Sequence, residues 1–449
     1  MIRCLEFSLS VSSANECENP GLMADDAARA TSDRSGDLRP ARNSELNGLT
    51  PEARSITMNT KRISMSARHP YSATAYPSTT CKDNKIIPLA MALVDAYYVF
   101  RAFTGLGFYS QWIVMMQNGS FMTMLWTNLK GVFPTGTPVK TSWTGIWPVD
   151  FVLGLLVVFF GAVNNVADLS DLGPFLMLVD LVFALVVFNI MTLVEDRRNR
   201  KTGPLRYPAV WQFLWNWCGA ASVLPVYCHL YVSKRLGSKT SLLSNDQAQA
   251  LPLTALWSIV ISLPLLLPSA LGAQPFDIQD GVVVWFFGPF FLGLFQDLVS
   301  VLFSGESYKG IRKPVTLAYW IVGLTSAVVH IGVAVWAYNA PELSWYRVYW
   351  PNHAAVIADS PTYMTEGAML FMQYDHVLIY LCVIGMGLYM LSPQKAVTAP
   401  FLGEKVRAGW PMVKLTAITA AAGPGAGLAW LMCHREGELD AAAEQRKRR

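Results

Sequence analysis

The stretch PFLMLVDLVFALVVFNIMTLV, residues 174–194, contains one ionisable side chain, Asp180, in an otherwise almost wholly apolar run. An α-helix rises 1.5 Å per residue, so roughly 20 apolar residues cross the hydrocarbon of a bilayer. The whole chain has the same character, since 53% of its 449 residues are hydrophobic and only 15% are charged. Its mean hydropathy is +0.32. This composition indicates an integral membrane protein and not a set of soluble domains.

Similar apolar runs recur along the chain, separated by short polar or Pro/Gly-rich connections. We therefore predict an all-α integral membrane protein, a polytopic bundle of about eight transmembrane helices in residues 147–432. The bilayer is thus an expected partner, and the endoplasmic reticulum is the expected membrane. The predicted spans are 147–163, 174–194, 207–232, 251–271, 282–303, 316–338, 367–391 and 411–432.

Three segments lie outside this predicted bundle. Residues 1–84 have no apolar run long enough for a signal peptide, and we predict a disordered N-terminal tail. A transit peptide, which the acidic residues of the tail disfavour, and a translation start at Met58 or Met65 are alternatives. Polar side chains interrupt the apolar segments of residues 85–146, where we predict interfacial or re-entrant helices, with a spanning helix as the alternative. Residues 433–449 are a predicted charged C-terminal tail.

Ionisable side chains at membrane depth are candidates for catalysis, because each costs a few kcal/mol on insertion scales. A structural hydrogen bond between helices is the alternative for each of them. Adjacent helical residues point about 100° apart, so Asp375 and His376 are not expected to face one point. We expect the Asp375 carboxyl group to face another helix. The candidate catalytic residues are Asp375, His376, Asp180, Asp297, His330 and His229.

Asp375 lies close to the middle of its run, where a short side chain cannot reach the membrane surface. An apolar pocket favours the neutral form of a carboxyl group, which can donate a proton. Asp375 is therefore the predicted acid, with Asp180 or Asp297 as alternatives. One of the three candidate histidines would orient the acid or take up the final proton.

The segment RYPAVWQFLWNWCG, residues 206–219, places Trp211 and Trp215 on one helical face and Gln212 and Asn216 on the next. Tryptophan faces attract cations, so these four are candidate substrate-binding residues around a carbocation. An aromatic belt at the membrane surface and amides that bridge helices are the alternatives. Elsewhere, GPGAG at residues 423–427 predicts a helix break or a close-packing site and not a nucleotide loop.

Several common kinds of site are not indicated. The sequence has no Walker loop, no G-x-S-x-G elbow, no H-E-x-x-H and no Asp-rich magnesium motif. Its seven cysteines include no C-x-x-C pair, and its basic residues form no nucleic-acid-binding pattern. We therefore predict no metal site, no cofactor, no disulfide framework and no nucleic-acid partner.

Three stretches carry a resemblance to a known family: LRYPAVWQFLWNWCGAASVLPVYCHLYV at 205–232, HIGVAVW at 330–336 and YDHVLIYL at 374–381. Together they resemble fungal integral-membrane terpene cyclases of the ascochlorin and ascofuranone pathway type, which have relatives in indole-diterpene clusters. The resemblance covers roughly residue 147 to the C-terminus, and no catalytic residue is carried over from it. It implies that a prenyl chain, often with a terminal epoxide, is cyclised by protonation and without a metal in meroterpenoid or related secondary metabolism. The implied partners are a hydrophobic prenylated substrate and a prenyltransferase and an epoxidase of the same pathway.

Two other kinds of function stay open on the residues alone. A membrane transporter or a lipid- or sterol-binding protein would use the same buried groups as a proton relay or as substrate contacts. A sterol-isomerase-like enzyme would also need an acid and a Trp that stabilises a cation. The cyclase interpretation makes a geometric prediction, namely that Asp375 lines the main cavity between the helices.

Overall fold

The computed structural model describes residues 95–198, 203–236, 243–304, 312–391 and 402–448, so the predicted N-terminal tail lies outside the described residues. Within these ranges the chain is helical, and its β-type pairing is limited to an isolated bridge between Val132 and Pro138. A π-helical turn, Tyr109–Ile113, joins the first two helices. The helices are α1 Ala96–Phe108, α2 Val114–Gln117, α3 Ser120–Lys130, α4 Trp147–Asn164, α5 Gly173–Arg198, α6 Pro208–Cys218, α7 Ala220–Leu236, α8 Asn245–Val260, α9 Leu263–Ala270, α10 Pro275–Phe286, α11 Gly288–Leu302, α12 Arg312–Asn339, α13 Trp345–Tyr349, α14 Tyr363–Met390 and α15 Leu402–Arg448.

The predicted membrane-spanning architecture is confirmed. Among the described residues, six helical segments are long and apolar enough to cross a membrane, and α10 with α11, bent by 53°, would make a seventh. The remaining predicted span, 207–232, is not one helix, because α6 and α7 meet at Gly219. The six segments are Trp147–Asn164, Gly173–Arg198, Asn245–Ala270, Arg312–Asn339, Tyr363–Met390 and Gly409–Gln445.

Helix α5 lies at the centre of this bundle. It is apolar on all sides and buried along almost its entire length, packed against α8, α12, α14 and α15. By contrast, α12 exposes a stripe of large apolar side chains at helical spacing, Leu317, Trp320, Leu324 and Val328. Because α12 would otherwise hold these side chains in water, the stripe indicates a lipid-facing surface.

The predicted helix break at residues 423–427 is also present. Gly423 has φ 85° and ψ 165° inside α15. A Cβ atom at Gly425 would lie 2.2 Å from the Ser326 hydroxyl oxygen, so this glycine allows α15 to pack closely on α12. The GPGAG motif therefore contains both a helix break and a close-packing site, the two features predicted for it.

Helix α15 continues into the predicted C-terminal tail, where Arg435 and Glu436 are buried. Arg435 Nη1 lies 2.7 Å from Glu195 Oε1, and Arg198 Nη2 lies 2.5 Å from Glu436 Oε2. Buried charges need such partners. The first residues of the predicted tail thus belong to the packed bundle, tied to the end of α5.

Candidate active site

A cavity of about 280 Å³ lies between the helices of the described part of the chain. Its size is near the lower end for small-molecule pockets, and its wall is mainly aromatic and aliphatic. Asp375 is the only carboxyl group among the described residues that line it. The aromatic lining residues are Phe108, Trp112, Phe121, Phe159, Phe160, Trp215, Trp217, Trp285 and Phe371.

The Asp375 side chain is held by groups from two other segments. Its Oδ1 atom accepts hydrogen bonds from Gln111 Nε2 at 2.7 Å and from the Ala221 backbone amide at 2.5 Å. Gln111 in turn accepts a hydrogen bond from the Ser222 hydroxyl at 2.9 Å through Oε1. Both of these donors approach the same oxygen of the carboxyl group, which restricts the orientation of the Asp375 side chain. Neither His330 nor His376 is among these partners.

A break between α6 and α7 presents the Ala221 amide to Asp375. Gly219 has φ 86°, a conformation that suits glycine, and it ends α6 at the level of the cavity. Backbone groups at helix ends lack partners within the helix. Here the Cys218 carbonyl accepts a hydrogen bond from Trp112 Nε1 at 2.7 Å. Asp375 accepts a hydrogen bond from the Ala221 amide in the first turn of α7. The carboxyl group therefore faces the positive end of a helix dipole.

Gln111 and Trp112 both belong to the π-helical turn Tyr109–Ile113. Such turns interrupt α-helices mostly as single turns and are frequent at functional sites. Gln111 is completely buried. Sequence reasoning treated it only as a polar interruption of an apolar segment, although a buried amide in a membrane segment is itself a signal that a polar partner lies on another helix.

Substituting Gly219 by Ala should lower the free energy of unfolding by about 2 kcal/mol. The new Cβ atom would need a left-handed φ and would lie 2.5 Å from Gln111 Oε1 and 2.7 Å from Phe371 Cζ. Thermal unfolding of the detergent-solubilised protein measures the effect. Gly332→Ala is the matched control, because a Cβ atom there meets nothing within 4 Å. Equal unfolding temperatures for the two variants would contradict the role of the break.

A second polar cluster joins Asp180, His330 and His376, all buried. His330 Nδ1 lies 2.7 Å from Asp180 Oδ2 and is hydrogen-bonded to it. His376 Nε2 lies 3.3 Å from the same oxygen, without hydrogen-bond geometry. His330 Nε2 is 3.4 Å from the Tyr380 hydroxyl. None of the three lines the main cavity. The adjacent residues Asp375 and His376 therefore face different places, the cavity and the Asp180 cluster.

Within the described residues, this buried cluster could also hold a metal ion. One ligand atom from each of Asp180, His330 and His376 lies within 4.8 Å of the others. Two imidazoles and a carboxylate are a donor set that zinc or iron accepts. The three positions are far apart in sequence, which is why no motif revealed them. The absence of a metal site stays a prediction.

Arg347 fastens the short helix α13 beside this cluster. It contacts Glu366 Oε1 at 2.6 Å and Asp171 Oδ2 at 3.1 Å. Burial alone would lower the pKa of Arg347, but the Glu366 and Asp171 carboxylates raise it, so the guanidinium stays charged. Two residues further on, the Tyr349 ring stacks on His376 with centroids 5.0 Å apart. Burial, together with the nearby Asp180 carboxylate, raises the pKa of Tyr349.

The structure separates the other two candidate catalytic residues from the cavity. Asp297 lies 2.9 Å from Arg197 Nη2, and its side chain is half-exposed. His229 lies 3.3 Å from the Ser233 hydroxyl, in α7. Neither lines the cavity that contains Asp375.

The four candidate substrate-binding residues on α6 divide into two groups. Trp215 and Asn216 line the cavity. Trp211 does not, because its Nε1 atom donates to the Pro204 carbonyl at 2.7 Å and its ring packs on Tyr227. Gln212 lies in a smaller adjoining pocket.

Four of the seven cysteines lie in the described residues. Cys218, Cys228, Cys382 and Cys433 are free thiols. The other three cysteines lie outside the described residues.

Comparison with known proteins identifies the family of this fold. Two fungal proteins, each named terpene cyclase DEP1, are similar to the chain: the one from Fusarium langsethiae is 25% identical over 360 residues, which cover 75% of this chain and 97% of that protein. The one from Alternaria brassicicola is 25% identical over 364 residues, which cover 76% and 98%. No solved structure matches the chain significantly. The resemblance to fungal terpene cyclases is thereby confirmed.

The matched region contains every part of the cavity described above. The model of the CtvD domain matches residues 96–439, from the first turn of α1 to the buried end of α15. That region is more than half of the chain. The chain therefore belongs to the CtvD-domain family.

Proposed function

We propose that this protein is a membrane-bound terpene cyclase that closes rings on a prenyl chain by acid-initiated carbocation chemistry. The observation that carries the proposal is a buried carboxyl group, Asp375, in the wall of an aromatic-lined apolar cavity. The names of the two relatives, both terpene cyclases, support the same activity. A prenyl chain that bears a terminal epoxide is the proposed substrate, and it would enter from the bilayer because it is hydrophobic.

Asp375 supplies the initiating proton in this mechanism. The proton passes from its carboxyl group to the epoxide oxygen while the carbon–oxygen bond breaks, so the oxygen becomes a hydroxyl group. A neighbouring alkene attacks the electron-poor carbon and forms the ring bond. The final carbocation loses a proton from an adjacent carbon, and the Asp375 carboxylate takes it up, so the reaction is an isomerisation. The histidines lie outside the cavity lining and are given no part in these steps.

The aromatic wall stabilises the cationic intermediates. Trp215, Trp217 and Trp285 line the cavity, and a desolvated Trp face attracts a cation by up to about 2 kcal/mol. The same wall excludes water that would otherwise trap the cation. The hydrogen bonds to Asp375 Oδ1 hold the acid in one orientation towards the substrate.

The direct test is expression in a fungal or yeast host fed with candidate epoxidised prenyl compounds, followed by identification of the products. A cyclic isomer of the fed epoxide, formed only in cells with the protein, supports the proposal. Recovery of unchanged epoxide across all candidates, with the protein present in the endoplasmic reticulum membrane where we propose it acts, would count against it. A prenyltransferase and an epoxidase are the proposed suppliers of the natural substrate.

We expect turnover to continue without a metal ion. Because Asp375 is proposed to deliver the proton itself, microsomes treated with EDTA and dialysed should keep at least about half of their activity. Metal analysis of the purified protein accompanies the assay. Loss of activity that Zn²⁺ or Fe²⁺ restores would instead give the Asp180 cluster a catalytic metal.

A transporter is the second candidate, favoured by one observation. The buried group of Asp180, His330 and His376 has the composition of a proton relay inside a membrane. Proteoliposomes distinguish the two functions. Proton-coupled movement of the prenyl compound without any new product would support transport, whereas conversion without flux supports the cyclase.

A further inference from the structure

A second, much smaller pocket adjoins the main cavity. Its volume is about 20 Å³, and it shares Val182, Leu185, Asn216 and Trp285 with the main cavity. Its remaining wall includes the polar side chains of Asn189, Gln212 and Ser262. Amide groups in the wall of an apolar chamber would weaken the binding of a hydrocarbon unless they hold a hydrogen-bond partner of their own.

The hydrogen bonds of Gln212 fix which of its atoms faces the recess. Its Nε2 atom donates to Thr192 Oγ1 at 3.1 Å and lies 3.4 Å from the Asn189 carbonyl oxygen. Thr192 already donates its own hydroxyl proton to that carbonyl at 2.8 Å, so it can only accept from Gln212. The amide orientation is therefore set, and Oε1 is the free acceptor. The Gln212 side chain is 1% exposed, and Oε1 has no hydrogen-bond partner within the described part of the chain.

Two more acceptors are present in the recess. The Oδ1 atom of Asn189 is buried and likewise lacks a hydrogen-bond partner among the described residues. Ser262 donates its hydroxyl proton to the Ser258 carbonyl at 3.1 Å, which leaves its oxygen as an acceptor. Leaving buried acceptors unpaired costs about 1–3 kcal/mol each. The set therefore calls for a ligand that donates hydrogen bonds.

The size of the recess limits that ligand to a single small group. A pocket with a volume of roughly 10–15 Å³ can hold one water, and the water needs two to four polar partners. The recess satisfies both conditions with one position to fill. It is too small for a ring or a chain.

We propose that this recess, formed by Asn189, Gln212 and Ser262, is a hydroxyl-binding subsite that holds one O–H donor at the edge of the cavity. The donor is either an ordered water or a hydroxyl group at the end of the substrate opposite to the epoxide. The second source rests on the proposed function, whereas the water does not. If the substrate hydroxyl is the donor, the subsite also gives the substrate a fixed direction in the cavity, because a prenyl chain by itself offers no polar end to recognise.

The structure of the full chain in lipid nanodiscs, at a resolution that shows ordered water, tests the site directly. We expect a density peak within hydrogen-bond distance of Gln212 Oε1 in the absence of substrate. With epoxyfarnesol added, the peak either persists, which identifies a water, or is replaced by the alcohol oxygen, which identifies a substrate subsite. An empty recess in both maps would overturn the proposal, whatever the turnover assay shows.

Binding measurements separate the two sources independently of catalysis. If the subsite takes the substrate hydroxyl, the wild-type protein should bind epoxyfarnesol about tenfold more tightly than its methyl ether, and Gln212→Leu should remove this preference. Ile261→Val, which alters an apolar wall of the same recess, should retain it. Equal affinities in the wild type together with a persistent water peak assign the site to water. If the two compounds bind equally well and the recess is empty in the maps, neither ligand occupies the site and the proposal is wrong.

Discussion

Asp375→Asn should reduce ring formation by about 10³-fold, the loss expected when a general acid is removed. Asn keeps the shape of the side chain and an Oδ1 atom that can accept from Gln111 and from the Ala221 amide. The fold should therefore survive while the transferable proton is lost. The measurement is product formation in microsomes supplied with an epoxidised prenyl substrate, normalised to the amount of folded protein.

Asp297→Asn is the matched control for this experiment. Asp297 is half-exposed and paired with Arg197, away from the cavity, so its substitution should leave turnover within about twofold of the wild type. Full turnover by Asp375→Asn would refute the assignment of the acid. If Asp297→Asn lost activity instead, the alternative acid named from the sequence would be the better one.

Gln111→Leu should lower kcat by about 10- to 100-fold and leave KM nearly unchanged. Gln111 contacts the acid and not the cavity. The Asp375 carboxyl group becomes charged as it gives up its proton, and a hydrogen bond to a charged group contributes about 1.5–3 kcal/mol. Without this donor, Asp375 loses one of the groups that orient it, and the Ser222 hydroxyl loses its acceptor. We expect the effect in the chemical step, because hydrocarbon contacts that bind the prenyl chain are untouched.

Ser110→Ala provides the comparison for Gln111→Leu. Ser110 is buried in the same π-helical turn, but within the described part of the chain its hydroxyl bonds only to the Gly107 carbonyl, at 3.2 Å. It should therefore match the wild type in kcat. A purely structural role for Gln111 would reduce the yield and unfolding temperature of Gln111→Leu but not kcat per folded molecule, and that result would contradict the positioning role.

Hydropathy predicts most of this fold because a bilayer imposes one strong condition on every spanning segment. The predicted runs 174–194 and 367–391 correspond to α5 and α14. The same reasoning could not divide 207–232, because averaging over a window does not detect that Gly219 adopts a left-handed φ. One residue there changes a predicted span into two helices.

The candidate site is predicted only where one residue suffices to reveal it. Asp375 stands out because a carboxyl group at membrane depth needs an explanation, and it does line the cavity. Its partner Gln111 is 264 positions away, in a segment whose depth the sequence left open. Likewise, the contact of His330 with Asp180 spans 150 positions. Such pairings depend on how helices pack, and hydrophobic periodicity carries no information about them.

Because of the break at Gly219, the Asp375 side chain has both a structural and a proposed catalytic role. Asp375 accepts a hydrogen bond from a backbone amide that the break leaves without a partner inside the helix. The same side chain is the proposed proton donor. Selection for a sound fold and selection for turnover thus act on a single position. A lineage that gave up the chemistry could not simply replace this acid with an apolar residue, since it would also have to restore a continuous helix.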